Sequence, residues 1–225
     1  MIGALADCTG HGIPGAFMTM IASSGLRRII KDEGCHNPAE ILKKLNFFVK
    51  TTLHQDTEYA LSDDGLDAAI CFVHFSQSRT EGTGNKSQII TFAGAKLSLV
   101  YIHNGELHAI KGDKQSLGYK PSRRSNIDFC FTKHVIPIKK GMTFYMYTDG
   151  FVDQLGGQRE MPFGTRRLRN TLKENVHLPF DKQKEILLKA FEEHKGEHER
   201  QDDVTVIGFN VRDRKTGGYS DKPKT

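Results

Sequence analysis

The chain has 225 residues, enough for one domain with a substantial core. Hydrophobic residues at 37% and charged residues at 26% give the balance of a soluble globular protein, and no apolar run reaches the roughly 20 residues of a membrane span. The net charge of +5 sits largely in pairs such as Arg123-Arg124, Lys139-Lys140 and Arg166-Arg167 without interleaved aromatics. That pattern argues against a nucleic-acid platform and for solvated surface, some of it able to dock an acidic or phosphorylated partner.

In chain order, Ile2 to Ala6 is a short apolar run that ends on Asp7 and predicts a buried strand. Gly10, Gly12 and Pro14 break it, and a helix is expected from Gly15 to Lys31, with apolar Phe17, Met20, Ile21 and Leu26 and a set of small residues that would let another element approach. Asn37-Pro38 is a helix start, followed by Ile41, Leu42, Leu45, Phe48, Val49 and Leu53 at helical spacing. Strands are then predicted over Leu66–Phe75, Ser87–Phe92, Lys96–Ile102, Glu106–Ile110, Ile127–Ile138 and Met142–Tyr147, with a polar loop over Gln77–Asn85 and a tight hairpin turn at Asn104-Gly105. Helices return over Gly164–Asn175 and Asp181–His194, and Asp203–Val211 gives a last strand. The expectation is one domain over 1–211 and a disordered tail over 212–225, where there is almost nothing to bury. Consecutive strands with short turns favour antiparallel pairing in a layered α+β sandwich.

Cys8, Cys35, Cys71 and Cys130 are scattered without a C-x-x-C pair, so free thiols are expected rather than a disulfide framework or zinc knuckle. With no signal-peptide pattern at the N-terminus, a cytoplasmic location is expected.

Three acidic stretches carry the chemistry: 6–12 around Asp7, 147–153 around Asp149 and Asp153, and 201–206 around Asp202 and Asp203. Each places an aspartate at the edge of a strand-like run. Any one of them, taken singly, reads better as a helix cap or turn former. Together, three such carboxylates would make an oxygen-rich nest suited to hard divalent cations, because clustered carboxylates cost several kcal/mol unless cations neutralise them.

Asp-Cys-Thr-Gly-His-Gly-Ile-Pro-Gly-Ala from Asp7, Tyr-Thr-Asp-Gly-Phe-Val-Asp-Gln from Tyr147 and Asp-Asp-Val-Thr-Val from Asp202 resemble motifs of the metal-dependent protein phosphatases, the PPM or type 2C family. The version is that of the bacterial subgroup resembling the sporulation stage II protein E phosphatase, whose style Asp64-Gly65-Leu66-Asp67-Ala68-Ala69 and Phe92-Ala93-Gly94-Ala95-Lys96 also match. The resemblance runs from about Ile2 to Val211. It implies a four-layer αββα sandwich of antiparallel sheets flanked by helices. It also implies two Mn²⁺ or Mg²⁺ ions and hydrolysis of protein phosphoserine or phosphothreonine by a metal-activated water.

Carried over by residue, the resemblance makes Asp7 the carboxylate bridging both metals, the carbonyl of Cys8 a backbone ligand, and Asp149 and Asp202 carboxylates on the other metal. Asp153 and Asp203 are additional acidic candidates, and Asp67 reads equally as a structural carboxylate. His11 is a candidate general acid, and a structural histidine in a Gly-flanked turn accounts for it at least as well. A Cys8 thiolate nucleophile is disfavoured, since no phosphate cradle follows it.

The family's earlier metal-binding aspartate and a basic phosphate contact lie on a strand that would precede Asp7. The sequence is therefore expected to lack the first strands of the family fold. Two explanations stand: a fragment of a longer protein with an upstream sensor or receiver domain, or a shortened product with weakened metal binding. The resemblance further implies a small phosphorylated regulator as substrate, such as an anti-sigma-factor antagonist with a STAS-type fold. A non-catalytic module that binds the phosphoprotein is the alternative from another class, and hydrolysis of a small phosphorylated metabolite is a third reading.

Overall fold

In a computed structural model the described residues are 2–10, 12–57, 59–75, 88–121, 128–157 and 159–211. They form two four-stranded antiparallel sheets packed face to face, with a pair of longer helices on each outer side. The first sheet has the order β1-β2-β3-β6, from β1 (Ile2–Cys8), β2 (Leu66–Phe75), β3 (Gln88–Ala95) and β6 (His134–Pro137). The second has the order β10-β7-β4-β5, from β4 (Leu99–His103), β5 (Glu106–Ile110), β7 (Thr143–Tyr147) and β10 (Val206–Asn210). Strands β1 and β10 are thus edge strands.

The layering follows from side-chain parity. Along β2, Leu66, Ala68, Ile70 and Phe72 pack against helices α1 (Gly12–Arg27) and α2 (Pro38–Thr52), while Ala69, Cys71 and Val73 face the second sheet. A strand covered on both faces has no reason to alternate polar with apolar, which is why this run is almost continuously hydrophobic. The second sheet repeats the arrangement: Leu99, Phe144 and Met146 point into the space between sheets. Val100, Ile102 and Tyr145 point outward to α4 (Thr165–Asn175) and α5 (Phe180–Lys195), which contribute Leu168, Leu172, Leu187 and Phe191. At the β4–β5 hairpin, Asn104 and Gly105 both take positive φ, 50° and 75°, the backbone a two-residue turn requires.

Several boundaries depart from the sequence expectation. Strand β1 continues through Asp7 and Cys8, because Cys8 still pairs with Leu66. The first helix begins at Gly12 and gives way to a π-helical turn, Arg28–Asp32. Its packed face is Met18, Ala22 and Gly25, so apolar Phe17 and Met20 point outward. Strand β6 is only four residues long. Ahead of it, the Asp113 carboxylate accepts from the backbone N–H and hydroxyl of Thr132, at 2.7 and 3.0 Å, taking a backbone N–H that a longer ladder would have used. A single helical turn, α3 (Asp149–Val152), and a small hairpin of β8 (Leu155–Gly156) with β9 (Met161–Pro162) follow β7 and were not expected. The predicted loop over 77–85 and the tail over 212–225 lie outside the described residues. Cys8, Cys35, Cys71 and Cys130 are free thiols, and among the described residues no helix is long and apolar enough to cross a membrane.

Helix α2 also buries polar residues that the apolar spacing hid. Asn46, Lys50 and, just past the helix, Gln55 are fully buried. Gln55 donates to the carbonyls of Asp64 and Gly118, at 2.7 and 2.9 Å, and accepts from the Ser62 hydroxyl and the Asp64 N–H. Asn46 accepts from the Gly118 N–H, and Lys50 donates to the Tyr119 carbonyl. These groups tie two loops to the helix. Gln55→Ala strands several buried backbone groups at once and is expected to lower unfolding stability by at least about 2 kcal/mol, read as a lower urea midpoint at unchanged slope.

Candidate metal and phosphoryl site

Three segments distant in sequence meet at one end of the sandwich. Asp7 comes from β1, Asp149 opens α3 directly after β7, and Asp202 lies in the approach to β10. They line one open cleft of about 590 Å³ with Asp67, Asp203, Cys8, Thr9, Tyr119, Arg200 and Gln201. Asp149 is the first residue of a helical turn rather than the last of a strand, and Asp202 stands four residues ahead of β10 rather than opening it. A second cavity of about 470 Å³ adjoins it between α1, the end of β1 and the segments at 148 and 203–205, and shares Asp7, Cys8, Gly10 and Asp203.

Local contacts explain how the acidic segments are held together. Thr148 is buried; its hydroxyl donates to the Asp203 carbonyl at 3.1 Å and accepts from the Thr205 N–H at 3.0 Å. Its backbone N–H donates to the Thr205 carbonyl. One threonine therefore joins the Asp149 and Asp202 segments. Gly150 lets them touch, since a Cβ there would lie 2.3 Å from the Asp203 carbonyl oxygen. On the other side, Asp7 is the direct cross-strand partner of Asp67 in the β1–β2 ladder, a like-charge pairing that is unfavourable by itself. Thr9 fixes the next turn through hydrogen bonds with both backbone groups of Gly65 and a contact to the Tyr119 hydroxyl, which brings that ring to the cleft.

The electrostatics report the crowding. Burial, then the charges of Asp149 and Asp202, push the Asp7 carboxyl up to about 7, with a hydrogen bond to Asp149 and the charge of Asp67 acting in the same direction. Asp67 is raised by burial and by Asp149, against the opposing effects of Ser116 and Lys96. Asp153 is raised by burial and by the charges of Asp149 and Asp202, so it belongs to the same acidic neighbourhood without lining the cleft. The Cys8 thiol is also raised, first by burial, which is opposite to the activation a thiolate nucleophile needs. The Asp202 carboxylate accepts from the Asp203 N–H at 2.6 Å. Among the described residues no three acidic, histidine or cysteine side chains stand in an arrangement that could hold a metal ion as they are. His11 lies outside the described residues.

The profile of the stage II sporulation protein E family matches residues 1–212. The chain belongs to that family. Its structure is similar to the PP2C domain of SiaA from Pseudomonas aeruginosa, at 30% identity over 94% of this chain and 76% of that one, with a TM-score of 0.76. The same fold recurs in the PP2C phosphatase domain of SpoIIE from Bacillus subtilis, solved with a fragment of its regulatory domain, at 15% identity over 92% of this chain and 53% of that one, TM-score 0.60. RsbX, solved in complex with magnesium, shares it at 17% identity over 92% of this chain and 79% of that one, TM-score 0.53. No curated protein sequence matches the chain. The chain is thus a PP2C-type serine/threonine phosphatase domain, with the α+β fold of antiparallel sheets and flanking helices that the motifs implied.

Sequence reasoning named Asp7, Asp149 and Asp202, and the phosphatase domain brings them together. It assigned no role to Thr148, Gly150 or Tyr119, and did not name Arg200, which also lines the cleft. Gly150 was within a quoted motif, but its steric role depends on Asp203 lying against it. Tyr119 carried no motif.

Two expectations follow. In chelator, Asp7→Asn removes repulsion and raises the thermal midpoint at pH 8 by about 2–4 °C, the shift that roughly 1 kcal/mol produces in a domain of this size. Because the folded carboxyl titrates near 7 and the unfolded one near 4, the wild-type penalty grows as pH rises through that window, so the gain shrinks on acidification and vanishes below about pH 4. Gly150→Ala forces the Asp202–Asp203 segment away from α3. It is expected to weaken divalent-cation binding by at least about tenfold, measured by calorimetry, while the far-ultraviolet circular dichroism is kept.

Proposed function

We propose that this domain hydrolyses phosphoserine or phosphothreonine on a regulatory protein with the help of two divalent cations, Mn²⁺ or Mg²⁺. The observation that carries the reading is the meeting of Asp7, Asp149 and Asp202, from three distant segments, around one solvent-open cleft. The donor set supports it. Carboxylate oxygens without a balancing cluster of basic side chains suit hard cations, and the elevated Asp7 carboxyl marks uncompensated negative charge. Asp7, the Cys8 carbonyl, Asp149 and Asp202 would hold the ions, with Asp153 and Asp203 as further acidic groups. The magnesium in the RsbX complex supports the choice of a hard cation. When bound, such ions supply Lewis-acid chemistry: they lower the pKa of a water and neutralise charge on the phosphoryl oxygens.

The chain's own residues set the geometry. Strand β1 holds Asp7 stiffly beside Asp67, and Thr148 and Gly150 lock the Asp149 and Asp202 segments together, so the carboxylates reach the cleft in a fixed relation. No covalent phosphoenzyme is required, which agrees with the raised Cys8 thiol. By resemblance the substrate is a small phosphorylated regulator such as a STAS-type anti-sigma-factor antagonist, and the domain would work in the cytoplasm beside, or joined to, a sensor or receiver. The extent of the functional unit, 1–211, is part of the same proposal.

A second reading, a module that binds the phosphoprotein without turning it over, is favoured by one observation: the Asp202 carboxylate is turned onto the Asp203 N–H. Phosphate release from a phosphoserine peptide separates the two. Release is expected in millimolar Mn²⁺, to be lost in chelator and to fall at least about 100-fold in Asp149→Asn. Binding of the phosphopeptide with no release in Mn²⁺ would select the binding module, and full activity in excess chelator would remove the cations from the reading.

A further inference from the structure

Five aspartates line the cleft, and among the described residues lining it Arg200 is the only basic side chain. A phosphomonoester carries about two negative charges and would meet carboxylates on most sides. We propose that Arg200 is the substrate-binding residue that receives the phosphoryl group, an inference that rests on the phosphatase reading of the cleft.

The backbone around Arg200 is held unusually well for a surface loop. Gln154 is buried to 1% exposure, and its amide donates to the Glu199 carbonyl at 3.0 Å and accepts from the Gln201 N–H at 3.3 Å. The Gln201 side chain accepts in turn from the Leu155 N–H at 3.2 Å. Both neighbours of Arg200 are therefore pinned to Gln154 and Leu155, just after α3, which fixes where the arginine leaves the chain. The side chain itself is loose. It is 57% exposed, and its Nη2 lies 3.0 Å from Oδ1 of Asp203, which is 82% exposed.

An ion pair that exposed is weakly held and screened by salt. A phosphoryl group offers more charge and two oxygens to the planar guanidinium fork, so it displaces the single Asp203 contact. A fixed root with a releasable head places the cation at the cleft before substrate arrives and lets the phosphoryl oxygens replace Asp203. Lysine in its place would supply the charge without the fork.

The test uses the full chain in Mn²⁺ and compares wild type, Arg200→Ala and Arg200→Lys. It measures inorganic phosphate binding by calorimetry, KM and kcat on a phosphoserine peptide, Mn²⁺ affinity and thermal midpoint. Arg200→Ala is expected to weaken phosphate binding and raise KM by about 10- to 100-fold, with a much smaller fall in kcat and unchanged Mn²⁺ affinity and midpoint. Arg200→Lys is expected to recover part of the phosphate affinity. Phosphate affinity and KM within about twofold of wild type in Arg200→Ala would overturn the proposal, as would a wild type that binds no phosphate. Loss of Mn²⁺ affinity with phosphate binding intact would also overturn it, because Arg200 would then serve only to place Asp203. Phosphate binding that depends on Arg200 without peptide hydrolysis would defeat the hydrolase reading and leave the phosphoryl contact standing. Hydrolysis indifferent to Arg200 would do the reverse.

Discussion

Carboxylates repel one another, and this domain spends packing energy to keep several of them in one cleft. Asp7 faces Asp67 across a ladder, Asp149 and Asp202 sit on segments pressed together at Gly150, and Asp153 lies within reach of both. None of these positions is self-stabilising. The stiffness comes from the two sheets behind them, whose shared interior of Leu5, Phe92, Leu99, Phe144 and Met146 fixes the strand ends from which the acidic side chains project. A loosely packed scaffold would relax the repulsion by moving the loops apart.

The supporting contacts are of two kinds. On the β7–β10 side, Thr148 supplies short side-chain and backbone hydrogen bonds, and the absence of a Cβ at Gly150 supplies the space. On the β1–β2 side, the support is longer-range. Asn46, Lys50 and Gln55 carry hydrogen bonds from α2 to the loops at 64–65 and 117–119, and the second loop brings Tyr119 against Thr9 beside Asp7. Buried polar groups of this type are costly unless satisfied, so their satisfaction fixes one arrangement of loops over many others. The outer helix and the cleft are consequently parts of one hydrogen-bonded unit, and α1 stands over the adjoining cavity with Phe17 and Met20 exposed on its outer face.

Much of this was readable in advance. The continuous apolar run of β2, the Asn37-Pro38 start of α2 and the Asn104-Gly105 turn are local signals, and the elements they predicted are present. The acidic motifs named Asp7, Asp149 and Asp202, which line one cleft, because short acidic stretches bounding apolar runs are a local pattern too. The misses share a different cause. Strand β6 is cut short by a side chain 19 residues away, α3 replaces a strand end where the chain must turn toward the Asp202 segment, and the face of α1 is chosen by where α2 lies. Lys50 and Gln55 carried no sequence signal, and their partners in distant loops make burial tolerable.

By itself the sequence determined the layer architecture and the identity of the acidic residues, because hydrophobic periodicity and short motifs are properties of neighbouring residues along the chain. The tertiary structure alone decided the rest: that these acids share one cleft, that Gly150 and Thr148 hold their segments together, and that among the described residues lining it Arg200 is the basic one. Those facts depend on through-space distances between segments as far apart as β1 and β10, and Coulomb and steric forces act on such distances without regard to separation in sequence.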